Sequence, residues 1–180
     1  MRLVKGIICS KFPKADFLCS CSNEETTDGD IAEMGINLAR EVQSHMQNPE
    51  ISRSVGRISF IGYSLGGVII RAALPYLSEY SSRFYSFVSF SSPHLGYLMG
   101  GSSLVDAGIW VMKKWLGCKS LKQLSFKDEK DFENCFLYSL SKKEGLGWFH
   151  NIVFVGSMED EYVPYESARL QKIREGGNSR

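Results

Sequence analysis

An α/β fold, a mostly parallel sheet flanked by helices, is what this 180-residue chain predicts, on three observations. Short β-branched and aromatic runs alternate with longer stretches whose apolar residues recur every three or four positions, which is the signature of βαβ units. One short run, Arg57-Ile58-Ser59-Phe60-Ile61, feeds through Gly62-Tyr63-Ser64-Leu65-Gly66 into the helix-compatible Val68-Ile69-Ile70-Arg71-Ala72-Ala73-Leu74. Composition is ordinary for a globular protein, with 43% hydrophobic and 23% charged residues, and the length suits one domain with a real core.

Taken in order, Asp16-Phe17-Leu18-Cys19-Ser20 reads as a short strand after the turn at Pro13, and residues 22–30 as a polar, acidic loop. Asp30 is placed to cap a helix in which Ile31, Met34, Leu38, Val42 and Met46 form one apolar face, and Pro49 ends it. The strand at 57–61, the Gly-Ser-Gly turn and a helix to about Tyr80 come next. Arg83 to Phe90 is aromatic and β-branched, a second buried strand, and it runs into the loop Ser91-Ser92-Pro93-His94-Leu95-Gly96. Helical patterns cover 104–116, rich in Ile109, Trp110, Met112, Trp115 and Leu116, and 127–141, with Phe132, Phe136, Leu137 and Leu140 as its apolar face. A last strand, Asn151 to Val155, leads into Gly156-Ser157-Met158-Glu159-Asp160-Glu161-Tyr162-Val163-Pro164. The domain is expected over 1–173, with a polar, Gly-rich, frayed tail over 174–180. No internal repeat is visible.

Several function classes are excluded by the same reading. The formal charge is +1 with no basic stripe, which argues against nucleic acid as a partner. No strongly apolar stretch exceeds about strand length, so no membrane-spanning helix is expected. The N-terminus lacks the apolar run and small-residue site of a cleaved leader, which sets a reducing, cytoplasmic location as the expectation. Five cysteines fit it: their number is odd, and Cys9, Cys118 and Cys135 sit in apolar stretches as small hydrophobes. Cys19-Ser20-Cys21 has no second Cys/His pair nearby, and His45, His94 and His150 are scattered, so no metal and no cofactor is expected.

The chemistry converges on Ser64. A serine at a strand-to-helix corner is held with its hydroxyl above the sheet edge, and the glycines at 62 and 66 read as positions where a Cβ would collide with the neighbouring strand and helix. The amide of Leu65 then points where an oxyanion would form. A serine hydroxyl needs a base, and the base needs an acid to orient it. Asp160, five residues past the strand 151–155, suits the acid, with Glu159 and Glu161 as rivals. The histidine is harder to place, because none follows Asp160. His94 lies at the correct sheet edge but precedes the acid, and reads as pocket wall, as a loop-holding hydrogen-bond partner, or as the base. His150 starts a strand at the wrong end, and His45 ends a helix.

Met1-Arg2-Leu3-Val4-Lys5, Ile58 to Gly66, Ser92-Pro93-His94-Leu95-Gly96 and Tyr162-Val163-Pro164-Tyr165-Glu166-Ser167-Ala168-Arg169 together resemble the lipase-like putative serine esterase family, in particular the eukaryotic branch whose hydrolase domain closes a longer protein. The resemblance implies an α/β-hydrolase fold, incomplete at both ends here, because the family's upstream His-Gly loop and downstream histidine have no counterpart. It implies Ser64 as nucleophile, Asp160 as acid, Leu65 as oxyanion donor, Tyr63 and His94 as pocket residues, and a carboxylic, lipid or acyl ester as substrate. Thioesterase or amidase chemistry would use the same nucleophile. The alternative is a non-catalytic module of the same fold that binds a protein partner or lipid, with Trp110, Met112, Trp115 and Leu116 available for peripheral membrane contact or simply for packing on the sheet. An open sheet edge and uncovered apolar surface would make the isolated chain poorly soluble.

Overall fold

A computed structural model describes residues 2–97 and 117–171. The helix read over 104–116 and the tail read over 174–180 lie outside these residues. Three parallel strands, β1 (Ile58–Tyr63), β2 (Phe84–Phe90) and β3 (Asn151–Val155), form a sheet in the order β1-β2-β3. All three match the strand-like runs. Phe60 pairs with Phe87 and Phe87 with Ile152, so residues in register share a face. With helices in the connections, this is an α/β arrangement.

Helix α1 (Arg2–Lys11) opens the described chain. Helix α2 (Ile31–Met46) forms as its periodicity predicts: the Asp30 carboxylate accepts from the amides of Ala32 and Glu33, and Ile31, Met34, Leu38, Val42 and Met46 are all buried. Pro49 does more than end α2. Behind an Asn48 cap it stands in the first turn of the short α3 (Pro49–Ser54), where its missing N–H costs nothing. Helix α4 (Leu65–Ala73) follows β1 directly, then narrows into a 3₁₀ segment, Leu74–Arg83, kinked at Leu77. Pro75 in its first turn cannot donate the bond that would continue the α-helix.

Helix α4 packs on one face of the sheet, and α2 packs against α4. An ideal Cβ at Gly35 would lie 2.7 Å from the Cβ of Ala72, so α2 and α4 touch almost backbone to backbone. Beneath them Phe60, Phe84, Phe87 and Phe149 form an aromatic cluster, with Phe84 stacked on Phe149 at 4.8 Å and Phe60 edge-on to Phe84 at 5.4 Å. The opposite face carries Ile61, Val88 and Val153 in one row and Tyr63, Phe90 and Val155 in the next. That face is partly open, with Tyr63 64%, Val153 44% and Val155 40% exposed. Among the described residues, no helix is long and apolar enough to cross a membrane.

Two expected elements differ. Residues 16–20 form no strand; they run beside α2, held by its side chains. Cys21 N–H donates to Glu41 at 3.0 Å, Ser20 donates to the same carboxylate, and Asp16 pairs with His45. Burial alone would raise the Glu41 pKa, but hydrogen bonds from Ser20, Cys21 and Ser22 outweigh it and hold the carboxyl below its ordinary value. The stretch 127–141 is no continuous helix. It contains a 3₁₀ turn at Phe132–Asn134 and only then a helix, α6 (Phe136–Ser141), preceded in the chain by α5 (Lys119–Leu124). Asp128 turns back to accept the Phe136 amide at 2.7 Å, satisfying that helix start from a loop position. A short α7 (Tyr165–Ala168) ends the described chain's regular structure.

Candidate active site

Ser64 sits between the last residue of β1 and the first of α4 with φ 51° and ψ −129°. Positive φ is strained for a residue with a Cβ, at a cost of about 1–3 kcal/mol. Its backbone is fastened there: Ser64 N–H donates to Phe90 O of β2 at 2.9 Å, and Ser64 O accepts from Gly67 N–H at 3.2 Å. The side chain makes no capping bond to α4 and is only half-buried. Leu65 is the first helical residue, so its N–H is among those that an α-helix leaves without an internal acceptor.

The glycines around this corner divide differently from expectation. A Cβ on Gly62 would meet the backbone of Gly67 at 2.6 Å, so Gly62 is required as predicted. Gly66 has nothing within 4 Å of a built Cβ, which corrects its reading as a close-approach position. Its Cβ direction opens away from the sheet. The tight position is Gly67, where a Cβ would fall 2.3 Å from Ser92 Oγ and 2.5 Å from Ser89 Oγ. The first turn of α4 therefore rests on the end of β2 through hydrogen-sized contacts.

Parallel pairing brings three loops to one sheet edge. Ser64 leaves β1 there, Ser91 to Tyr97 leaves β2, and Gly156 to Pro164 leaves β3. The ladder continues across their first residues, since Ser91 N–H donates to Val155 O at 2.8 Å. Asp160 stands in the third loop, half-buried, and its Oδ1 accepts from the amides of Tyr162 and Val163 at 2.9 and 3.0 Å. Glu159 and Glu161 are exposed. Tyr97 lies close enough to feel the Asp160 charge: burial first, and then that carboxylate, raise its hydroxyl to about 12. Tyr63 precedes Ser64 and projects on the open face.

His94 is spent inside the protein. It is 2% exposed, and both ring nitrogens are occupied. Nδ1 faces Arg71 Nη1 at 3.5 Å, and Nε2 lies 2.8 Å from Ser89 Oγ. A guanidinium only donates, so Nδ1 is the acceptor and Nε2–H donates to Ser89. Burial, and then the Arg71 charge, depress its pKa to about 3, so the ring is neutral. Arg71 also donates to the His94 carbonyl at 3.1 Å. Of the readings open for His94, the loop-holding hydrogen bond is the one its contacts describe. His150 immediately precedes β3 at the other sheet edge and stacks on Tyr85, while His45 pairs with Asp16. None of the three histidines is hydrogen-bonded to Ser64.

Sequence reasoning missed the residues that fix the middle loop. Fully buried Ser167 of α7 accepts from Leu95 N–H at 3.1 Å and donates to Gly96 O at 2.8 Å, tying residues seventy positions apart. Tyr97 N–H donates to Leu124 O at 2.9 Å, and Gly96 has φ +73° with Leu124 O 2.3 Å from where a Cβ would be. The available signal was small polar residues, Ser89, Ser92 and Ser167, inside otherwise apolar segments.

A strained serine at the edge of a parallel sheet, flanked by a free helix-terminal amide and a carboxylate-bearing loop, defines a class of α/β protein rather than one molecule. Comparison narrows it. The chain belongs to the family described as Putative serine esterase (DUF676), which matches residues 1–172. It is similar to a protein of Saccharomyces cerevisiae named Putative lipase YDL109C, at 26% identity over 154 residues, covering 80% of this chain. The matched region spans 23% of that relative's length. No solved structure matches.

Proposed function

We propose that the protein is a lipase-like serine hydrolase of the α/β-hydrolase fold, acting on carboxylic esters with an acyl or lipid group. The observation that carries this reading is the backbone of Ser64: a non-glycine residue held at φ 51° between β1 and α4 with its hydroxyl uncapped. Strain of this kind persists only where the surroundings enforce it, and it concentrates at functional positions. In the proposed reaction Ser64 Oγ attacks the ester carbonyl, the Leu65 N–H stabilises the oxyanion, and the alcohol leaves to give an acyl-serine that water hydrolyses. Asp160 is the carboxylate placed to orient a proton-accepting base, which would take the Ser64 proton and pass it to the departing alkoxide. Tyr63 borders the entrance, and the substrate is met at a lipid surface. The family and the yeast relative support an esterase or lipase assignment at this level.

The base is the constraint. His94 is buried and doubly bonded, and His45 and His150 are engaged elsewhere, so Ser64 in this chain reacts slowly. A fluorophosphonate probe is expected to modify Ser64 slowly and selectively, as read by intact mass and peptide mapping, with the adduct absent from Ser64→Ala. Failure to label above the Ser64→Ala background at saturating probe overturns the nucleophile assignment. Rapid, stoichiometric labelling would instead require a base within these residues. The same absence of a histidine beside Ser64 favours a second reading, a module of this fold that binds an acyl or protein ligand without turning it over.

A further inference from the structure

At the far end of α4 from Ser64, about 15 Å along the helix at 1.5 Å per residue, lies a cavity of about 420 Å³. Arg71 of α4 and Leu74, the first residue of the 3₁₀ segment after it, line the cavity together with Leu140, Lys143, Leu146 and Trp148. Gly145 and Gly147 also line it and contribute no side chain to fill it. Its size is that of a small-ligand pocket.

Arg71 is the unusual element. It is 7% exposed, yet it forms no ion pair with a carboxylate among the described residues. Its partners inside the protein are both neutral, the His94 carbonyl and the His94 ring, and both are reached by Nη1. None of its remaining donors is both sealed from solvent and unpartnered, and Arg71 lines the cavity. A buried guanidinium facing neutral groups is electrostatically incomplete, and an oxyanion completes it with two parallel hydrogen bonds. Lys143 at the rim adds a second positive charge against one acidic lining residue among the described residues, Glu144, while Leu74, Leu140, Leu146 and Trp148 offer apolar wall.

We infer that this cavity is a binding site for an amphiphilic oxyanion, its carboxylate or phosphate seated on Arg71 and a short apolar tail lying against Leu74, Leu140, Leu146 and Trp148. The inference does not depend on the reading of Ser64. It makes the molecule a receptor for a free acyl-type anion as well as a candidate hydrolase.

Calorimetric titration of the full chain with sodium octanoate, octyl phosphate and neutral octanol tests it. Both anions are expected to bind at least about tenfold more tightly than octanol, because the alcohol forgoes the charge-assisted bonds. The tighter of the two anions identifies the headgroup. Arg71→Gln is expected to abolish the preference for anions. Because that position is buried, Lys143→Glu at the exposed rim provides a variant that retains the fold, and it should weaken both anions without changing octanol. Equal affinity for octanol and octanoate overturns the inference, as does anion binding that a folded Lys143→Glu leaves unchanged.

Discussion

Gly66 and Gly67 are chemically identical neighbours in opposite situations, and the difference makes a sharp test of the corner at Ser64. Gly66→Ala places a methyl in open space and removes a flexible residue from a helix, so stability should hold or rise by up to about 1 kcal/mol. Gly67→Ala drives a methyl into Ser89 and Ser92, and should cost about 1–3 kcal/mol as an overpacked contact. The midpoint of urea unfolding reads both, and equal effects would contradict the packing described. His94 supplies a second residue-scale consequence. Its folded pKa is about 3 and its ordinary value 6.5, so between those pH values the unfolded chain binds a proton that the folded chain refuses. Stability therefore falls as pH drops below 6.5, with a limiting slope of about 1.4 kcal/mol per pH unit from this group. Denaturant midpoints from pH 7.5 to 4 should show this loss, and His94→Asn should flatten its upper part. A parent protein whose stability is constant from pH 7 to 5 would contradict the buried, neutral ring.

Elements were legible in proportion to how locally they are determined. Helix α2 carries its own apolar stripe and its own cap, so its extent could be read almost to the residue. β1, β2 and β3 were legible because continuous apolar runs bounded by turn residues are what buried parallel strands require. Residues 16–20 have the composition of a strand, but a strand exists only with a partner, and the groups that reach this segment are the Glu41 and His45 side chains of α2. Over 127–141 the apolar spacing concealed a charged stretch, Lys127 to Asp131, which offers no buried face and leaves Asp128 free to cap Phe136. Ser64 was visible because glycines and chain direction mark its corner. The Arg71–His94–Ser89 chain and the two hydrogen bonds of Ser167 were not, since they join positions that only the folded sheet brings together.

At the scale of the molecule the sheet is lopsided. Parallel sheets are ordinarily covered on both faces. Here α4, backed by α2, packs on one, and the rows Ile61-Val88-Val153 and Tyr63-Phe90-Val155 remain partly open among the described residues. The isolated chain is expected to self-associate and to bind a hydrophobic dye, and Val153→Lys with Val155→Lys should raise the monomeric fraction in sedimentation. A monomeric, dye-silent parent with a sharp reversible melt would remove this expectation.

The spacing of the strands along the chain also governs how the molecule is assembled. β1 and β2 are joined through one continuous helical connection, whereas residues 91–150 intervene before β3 can pair with β2. Closing so long an excursion carries the larger entropic penalty, so docking of the third strand is expected to be the slower step of acquiring the native topology. The loop bearing Asp160 is then expected to be placed after the Ser64 corner, whose bond to Phe90 needs only the first two strands.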